Sequence, residues 1–162
     1  MRRTARFMAI VATGVLMGLP AGALADDDDD LPAGPIRERH ELMETMGDQA
    51  EDINEAFNLG GGEGFDTDMI ARTAGVIAMN AHKIPDLFPK GSTDPKSRAL
   101  PAIWDNWDQF VQMSKDLEQA AQSLSLAAAS EDDEDDKEKK QKMFAACKAC
   151  HDKFRKPDEK KK

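Results

Sequence analysis

The sequence predicts an all-α fold, and within that class an antiparallel four-helix bundle. Three observations lead to this prediction. Apolar residues recur every three, four or seven positions along four segments, which is the period of an amphipathic helix. No segment alternates apolar and polar residues as a strand does. Stretches rich in glycine, proline or charge separate the four segments, and a period of about 3.5 suits the shallow crossing angles of bundles.

Residues 1–25 have the order of a cleaved secretory signal peptide. Met1–Arg6 carries three arginines and no acid, Phe7–Leu19 is apolar, and Ala23–Ala25 supplies the small residues of a cleavage site. A membrane anchor is the alternative, but the apolar stretch is shorter than the about 20 residues that cross a bilayer. We therefore predict export to the periplasm and, since no later segment is apolar enough, no membrane span in the mature chain.

Residues 26–35 are predicted to be a disordered acidic N-terminus, because five consecutive aspartates repel one another and two prolines follow. The helical pattern predicts a bundle over residues 36–155 and a charged tail over residues 156–162. The first helix is stopped by Gly60–Gly62. Its apolar stripe consists of Ile36, Met43, Met46, Ala50, Ile53 and Phe57.

The second helix is predicted to start where Asp66 or Thr67 caps it and to end at Pro85, after which a long loop runs to Pro101. Residues 130–140 contain no apolar side chain. We expect their acidic half to be an exposed connection and their lysine-rich half to begin the fourth helix. The third helix has the clearest stripe, formed by Ile103, Trp107, Phe110, Ser114, Leu117, Ala121 and Leu124. The fourth presents Met143, Cys147, Cys150 and Phe154 on one face.

The charge of the chain narrows the choice of partners. Removing residues 1–25 takes away three of the 22 basic residues and none of the 31 acids, so the mature formal charge is −12. Because phosphate binding needs a basic footprint, nucleic acid is excluded as a partner. If charge guides association, the partner presents a basic face; a role in solubility alone is the alternative.

Both cysteines belong to Cys147-Lys148-Ala149-Cys150-His151, the CxxCH pattern of c-type haem attachment. Two thiols separated by two residues lie on one side of a helical turn and reach the two vinyl groups of one porphyrin, and the imidazole that follows reaches the iron. The sequence therefore predicts one haem c, joined covalently by thioethers at Cys147 and Cys150, with His151 as an iron ligand.

Three other uses of the two cysteines are disfavoured. A disulfide between them would close almost no loop and would stabilise little. A thioredoxin-like site needs a βαβ context, which the pattern lacks. A structural zinc ion needs four ligands, and only His40, His82 and scattered carboxylates would be left to complete the set.

Four segments resemble the class II cytochromes c, typified by cytochrome c′, and they are spread over almost all of the chain after the acidic N-terminus. The segments are RHELMETMG from Arg39, IPDLFPKGS from Ile84, ALPAIW from Ala99 and CKACHDKFR from Cys147. As in that family, and unlike in class I cytochromes, the attachment pattern lies near the C-terminus. The long charged connection at residues 130–140 departs from the family pattern.

The resemblance implies roles for three further residues. It places Arg39 near a haem propionate and Arg155 close to the proximal side of the ring, one turn beyond His151. It places Met43 on the distal side, facing the iron. The alternatives are a surface ion pair for Arg39, a helix-end charge for Arg155 and core packing for Met43.

Three functions are compatible with these residues. If the Met43 sulfur binds the iron, the haem is six-coordinate and the protein is a periplasmic electron carrier. If Met43 only packs over the ring, the iron is five-coordinate and open to small gases such as nitric oxide or carbon monoxide, as in cytochrome c′. The third function is that of a haem-free helical interaction module. We place electron transfer first and predict no enzymatic turnover, since no acid–base or nucleophile pair accompanies the haem.

The sequence also leads to expectations for dimer formation and for the other histidines and the tryptophans. Because class II relatives often pair through their first two helices, the resemblance implies that this chain can form a homodimer. We expect His40 and His82 to be ordinary surface histidines. Trp104 and Trp107 are predicted to pack in the core and against the loop rather than to relay electrons.

Overall fold

The computed structural model describes residues 31–58, 66–130 and 133–157, with the backbone alone for residues 133–136. These ranges contain the helices α1 (Pro35–Asn58), α2 (Thr67–Lys83), α3 (Ala102–Asp105), α4 (Trp107–Ala129) and α5 (Asp133–Phe154). Helices α1, α2, α4 and α5 form the bundle, and α3 is a single turn, so the predicted all-α four-helix fold is confirmed. The predictions made for residues 1–30, for Gly60–Gly62 and for residues 158–162 lie outside the described residues.

Small side chains bring α2 and α4 together. A Cβ atom added to Gly75 would lie 3.3 Å from the Ser125 hydroxyl oxygen, so the two backbones approach closely at this point. The Ser125 hydroxyl donates to the carbonyl of Ala71 at 2.7 Å, and the Ser114 hydroxyl donates to that of Ala81 at 2.6 Å. Each hydrogen bond satisfies a hydroxyl that would be costly to bury without a partner. These contacts make the α2–α4 pair the centre of the bundle.

The ends of α2 follow the predicted capping and proline chemistry. The Asp66 carboxylate accepts a hydrogen bond from the backbone N–H of Met69 at 2.8 Å, which confirms the predicted cap. Helix α2 ends at Lys83, and a 3-10 turn over Ile84–Leu87 follows it. Pro85 has no N–H to continue the helical bonding. The chain therefore leaves the bundle here and begins the long loop that reaches Pro101.

The predicted third helix is wrong in one respect, because it is interrupted at Asn106. This residue has φ −127° and ψ 44°, outside the helical region. Its backbone N–H and its side-chain amide both donate to the carbonyl of Ala102, at 3.0 and 2.9 Å. Asparagine favours such local bonds over a regular helix. The stripe that begins at Ile103 is therefore divided between α3 and α4.

The two tryptophans have different environments. The Trp104 indole N–H donates to the carbonyls of Phe88 and Pro89 at 3.1 and 3.2 Å, which confirms packing against the loop. Trp107 is an exposed side chain that lies against the ring of Phe110, so the prediction that it packs in the core is wrong. The interruption at Asn106 accounts for the difference, because it places the two residues on separate helices.

Helix α5 begins earlier than the sequence indicates. The acidic residues were expected to form an exposed connection, yet the helix already includes residues from Asp133 onward. Acidic side chains at the N-terminus of a helix are favoured by the positive end of its dipole. Residues 133–136 of the acidic half are therefore part of α5 rather than of a linker.

The core is a single apolar cluster between the four long helices. None of the helices in the described ranges is long and apolar enough to cross a membrane. The largest fully buried side chains of the core are Ile53, Ile70, Ile77, Ile103, Leu124 and Met143.

Two leucines of α4 provide a matched test of this core. Leu124 is 0% exposed, whereas Leu126 is 67% exposed on the same helix. We expect Leu124→Ala to lower the free energy of unfolding by about 2–5 kcal/mol, because it leaves a cavity. Leu126→Ala should change it by less than about 0.5 kcal/mol. Denaturant unfolding of the purified protein measures both, and equal effects would contradict the placement of α4.

Candidate functional site

The CxxCH pattern lies on the last turns of α5, on the face that packs against the core. Cys147 and Cys150 are free thiols that are partly buried against the apolar cluster. Met143 and Phe154 precede and follow them on the buried side of the helix. His151 is half-buried beside them. The helix therefore presents both sulfurs on its inner surface, with the imidazole next to them, as the spacing predicts.

Burial makes both thiols poor candidates for disulfide exchange. It raises the pKa of Cys147. Burial, followed by the neighbouring Cys147, raises the pKa of Cys150 to about 11. The reactive cysteine of a thiol–disulfide oxidoreductase instead has a lowered pKa, because the thiolate is the nucleophile. Both cysteine side chains are consequently neutral thiols at ordinary pH.

A groove separates α5 from α1. Among the described residues, close backbone packing joins α1 to α2, α2 to α4 and α4 to α5, whereas α1 and α5 are not joined in this way. The wall of the groove formed by α5 carries the CxxCH residues. Both helices also carry partly buried apolar side chains that pack against the core, namely Leu42, Met43, Ala50, Phe57, Phe144 and Ala146. The groove's apolar walls, two thiols and an imidazole are a set of groups that fits a haem.

Lys140 ties α1 to α5 at the far end of this groove. Its ammonium donates to the side-chain carbonyl of Asn54 at 3.1 Å and lies 4.7 Å from the centre of the Phe57 ring. The ring of Phe144 on α5 is 5.9 Å away. Partial burial lowers the pKa of Lys140. The lysine thus makes a hydrogen bond and one cation–π contact across the groove, and a second cation–π contact within α5.

The contact between Lys140 and Asn54 sets the register of the two helices. Met43 precedes Asn54 by eleven residues, and His151 follows Lys140 by eleven. Eleven residues are close to three helical turns, or about 16 Å, so each pair lies on one side of its helix. Because α1 and α5 are antiparallel, both steps run toward the same end of the bundle. Met43 and His151 therefore lie at the same level on the two walls.

Arg39 is buried one turn before Met43 and binds the loop that follows α2. The residue is 4% exposed, and burial lowers the pKa of its guanidinium. One terminal nitrogen donates to the Ser92 hydroxyl at 2.8 Å and to the Leu87 carbonyl at 3.4 Å. The other donates to the Ser92 carbonyl at 2.8 Å and to the Ser97 hydroxyl at 3.0 Å. These partners are uncharged, so the alternative of a surface ion pair is wrong.

The loop reaches Arg39 through a tight turn and an aromatic contact. Gly91 has φ +82°, a conformation that glycine adopts without strain, and this turn presents both oxygens of Ser92 to the guanidinium. The guanidinium also lies 4.7 Å from the centre of the Phe88 ring. Phe88 in turn packs edge-on against Phe110, at 4.8 Å between ring centres. A buried cation is thereby surrounded by hydrogen-bond acceptors and an aromatic face.

Arg155 follows the end of α5 and is half-buried. Its backbone N–H donates to the carbonyl of His151 at 3.0 Å, one turn back, and its backbone pairs with Ala99 of the loop. Phe154 and Lys156 on either side of it bond to the same loop. The end of the helix that carries His151 is therefore attached to the loop that Arg39 holds.

The two remaining histidines lie elsewhere. His82 is exposed and contacts Glu118 at 3.2 Å, which confirms the prediction of a surface histidine. His40 is half-buried and lies 3.7 Å from Glu44 on the same helix. The structure also brings to the site residues to which the sequence analysis assigned no role: Lys140, Phe88, Ser92 and Ser97. Their types are common in loops and on helix surfaces, so only their positions in the fold distinguish them.

Comparison with known proteins identifies similar chains. The sequence profile of the Cytochrome C′ family matches residues 34–155. Cytochrome c-554 of Cereibacter sphaeroides is 35% identical over 158 residues, which cover 93% of this chain and 97% of that protein. The structure of cytochrome c′ from Rhodopseudomonas palustris has a TM-score of 0.70 and 26% identity, over 79% of this chain and 100% of that one. A cytochrome c′ described as having an unusual ligand-controlled dimer dissociation has a TM-score of 0.67 and 27% identity, over 78% of this chain and 100% of that one.

Lys140→Ala tests the tie between α1 and α5. We expect it to lower the free energy of unfolding by about 1–2 kcal/mol, because it removes a hydrogen bond and a cation–π contact. Lys137→Ala is the matched control, since Lys137 is exposed one turn earlier on the same helix, and it should cost less than about 0.5 kcal/mol. Denaturant unfolding compares the two variants. Equal costs would mean that Lys140 does not join the helices.

Proposed function

The chain belongs to the cytochrome c′ family, and on that premise we propose that Cys147 and Cys150 hold its haem while His151 binds the iron. As a member of this family it is a c-type haem protein that acts in electron transfer. The observation that carries the residue assignment is the groove, with both thiols and the imidazole on its α5 wall.

The prosthetic group supplies the electron-transfer chemistry, and the protein holds and shields it. The bound haem supplies a one-electron couple at its iron. Cys147 and Cys150 each give a sulfur to a thioether and a hydrogen to the vinyl group, which fixes the ring to α5. His151 offers a neutral ring nitrogen on the same side. The apolar side chains along the groove exclude water, and partial burial of an iron site is one of the factors that set its potential.

Met43 is the residue whose role decides the subtype. We propose that its sulfur would be the second protein ligand of the iron, because Met43 lies on α1 at the level of His151 on α5. Methionine ligation raises the potential of a haem, as suits an electron carrier. An open iron is the second candidate, and one observation favours it: Met43 is already packed against the core cluster, as a side chain that only fills space would be.

Arg39 and Arg155 complete the proposed set at the edge of the haem. A guanidinium has five N–H donors, and Arg39 uses those of its two terminal nitrogens in the loop. Its Nε–H is the donor outside these bonds and is the one we propose for a propionate. Arg155 lies beside the loop at the C-terminal end of α5, where the helix dipole favours a cation. We propose that it lies close to the proximal side of the haem.

The partners and location follow from charge and from the N-terminal segment. Helix α1 carries seven acids and two arginines, and Glu44, next to Met43, is exposed. We propose a redox partner whose basic face meets this acidic helix after export to the periplasm through residues 1–25. We propose that the chain is not an enzyme and does not bind nucleic acid. A homodimer is a further proposal, supported by the similar cytochrome c′ that dissociates under ligand control.

Loss of both thiols tests the covalent attachment. In a host that matures c-type cytochromes, the wild-type chain should keep its haem in a denaturing gel, whereas Cys147→Ala/Cys150→Ala should lose it. His82→Ala is the control, because His82 is exposed and lies on α2. Haem staining and intact mass measure the attachment. A wild-type chain without covalent haem would support the interaction module instead.

Met43→Leu tests the second ligand. If the sulfur binds the iron, the oxidised wild-type protein is low-spin with a weak far-red sulfur–iron band, and carbon monoxide leaves the reduced spectrum unchanged. Met43→Leu should abolish the band and make the reduced iron bind carbon monoxide. Met46→Leu, at a buried methionine one turn away, should leave the spectrum unchanged. A wild-type spectrum that is high-spin and shifts with carbon monoxide would identify a gas-binding protein.

A further inference from the structure

Ser97 connects Arg39 to the end of α5. Its hydroxyl is buried and accepts hydrogen bonds from Arg39 at 3.0 Å and from the backbone N–H of Ala99 at 3.3 Å. Its carbonyl accepts a hydrogen bond from the Lys156 ammonium at 2.6 Å. One loop residue is thus bonded to α1 on one side and to the segment that ends α5 on the other.

The residues after Ser97 extend this connection as backbone pairing. The carbonyl of Arg98 accepts from the N–H of Lys156 at 2.7 Å, and the N–H of Leu100 donates to the carbonyl of Phe154 at 2.9 Å. The Arg98 side chain donates in addition to the Lys156 carbonyl at 3.0 Å. These three hydrogen bonds add to those of the Lys156 ammonium in holding the end of α5 against the loop, within five residues of His151.

We propose that Arg39 is a positioning residue that sets the separation between Met43 and His151. It acts through the loop 87–100, which it binds on one side and which binds the end of α5 on the other. This inference rests on the proposed haem site and deepens it. The arginine lies one turn from Met43 on α1, and Phe154 lies one turn from His151 on α5. The connection from Arg39 through the loop to the end of α5 is therefore close to Met43 and to His151.

Two connections join α1 to α5, one at each end of the groove. Lys140 and Asn54 join α1 to α5 at one end of the groove, and the Arg39–loop connection joins them at the other. The width of the groove between these points would determine whether the Met43 sulfur can reach an iron held by His151. A change in this width would thereby select between a six-coordinate and an open iron. Direct binding to a propionate is a separate role for Arg39 and predicts different behaviour.

The experiment compares three variants of the haem-loaded protein. Arg39→Lys keeps the positive charge but removes the forked donor geometry. Ser97→Ala removes one of the four loop acceptors of Arg39, which is also the acceptor of the Ala99 N–H, and keeps the Ser97 carbonyl. Ser125→Ala is the control, because it deletes a serine hydroxyl whose hydrogen bond joins α2 and α4, away from the groove. Each variant is examined by optical spectrum, by reduction potential, and by hydrogen exchange of peptides containing Leu100 and Lys156.

The expected result is a shared effect of the first two variants. Arg39→Lys and Ser97→Ala should both accelerate exchange at the Leu100 and Lys156 amides by about tenfold, since a buried hydrogen bond to a charged group is lost. Both should shift the spectrum and the potential in the same direction. The double variant should shift them no further than the larger single change, because the two residues act as one unit. Ser125→Ala should leave all three readouts unchanged.

Two outcomes would overturn the inference. If Arg39→Lys moves the potential while Ser97→Ala changes neither spectrum nor exchange, Arg39 acts directly on the haem. If both variants lower thermal stability but leave spectrum and potential unchanged, the bonds only stabilise the fold. A wild-type chain that lacks covalent haem would defeat the proposed function instead. The exchange comparison would then still show whether Arg39 holds the end of α5.

Discussion

The site depends on the separation of α1 from α5. Every other neighbouring pair of long helices in the described ranges packs backbone against backbone, and small residues such as Gly75 and Ser125 bring α2 and α4 especially close. The α1–α5 pair instead meets through polar ties at its ends, where Lys140 reaches Asn54 and the loop links Arg39 to the end of α5. Apolar side chains line the space between the ties. A bundle closed on all four sides would have no place for a planar ring, so the separation of α1 from α5 makes the rest of the chemistry feasible.

Buried polar groups define the geometry of this groove because they tolerate few alternatives. A buried guanidinium without acceptors would cost several kcal/mol, so the loop must keep Ser92 and Ser97 in place for the fold to persist. The same bonds hold the end of α5, and with it His151, at a defined position. Apolar packing alone would leave the helices freer to slide, since it has no direction. In this chain the apolar core supplies cohesion, whereas directional bonds determine the spacing across the groove.

The charged residues are also arranged by the fold rather than spread evenly. Helix α1 is strongly acidic on its exposed side, while the charged residues of α5 from Lys137 onward are mostly basic, so the two helices differ in the sign of their charge. The acidic run before Lys137 begins α5, where the helix dipole favours it. The net charge of the chain therefore describes neither helix by itself.

The sequence alone determined the local features of this protein. The period of its apolar residues predicted the four long helices, and the spacing of Cys147, Cys150 and His151 predicted their common face, because both depend only on the geometry of one helix. Sequence reasoning failed at Asn106, where a side chain competes with the helix, and at Asp133, where a helix dipole offsets repulsion. Only the tertiary structure decided the level of Met43 opposite His151 and the partners of Arg39. Those relations join residues 48 to 108 positions apart, and no local pattern encodes the loop and the tie that bring them together.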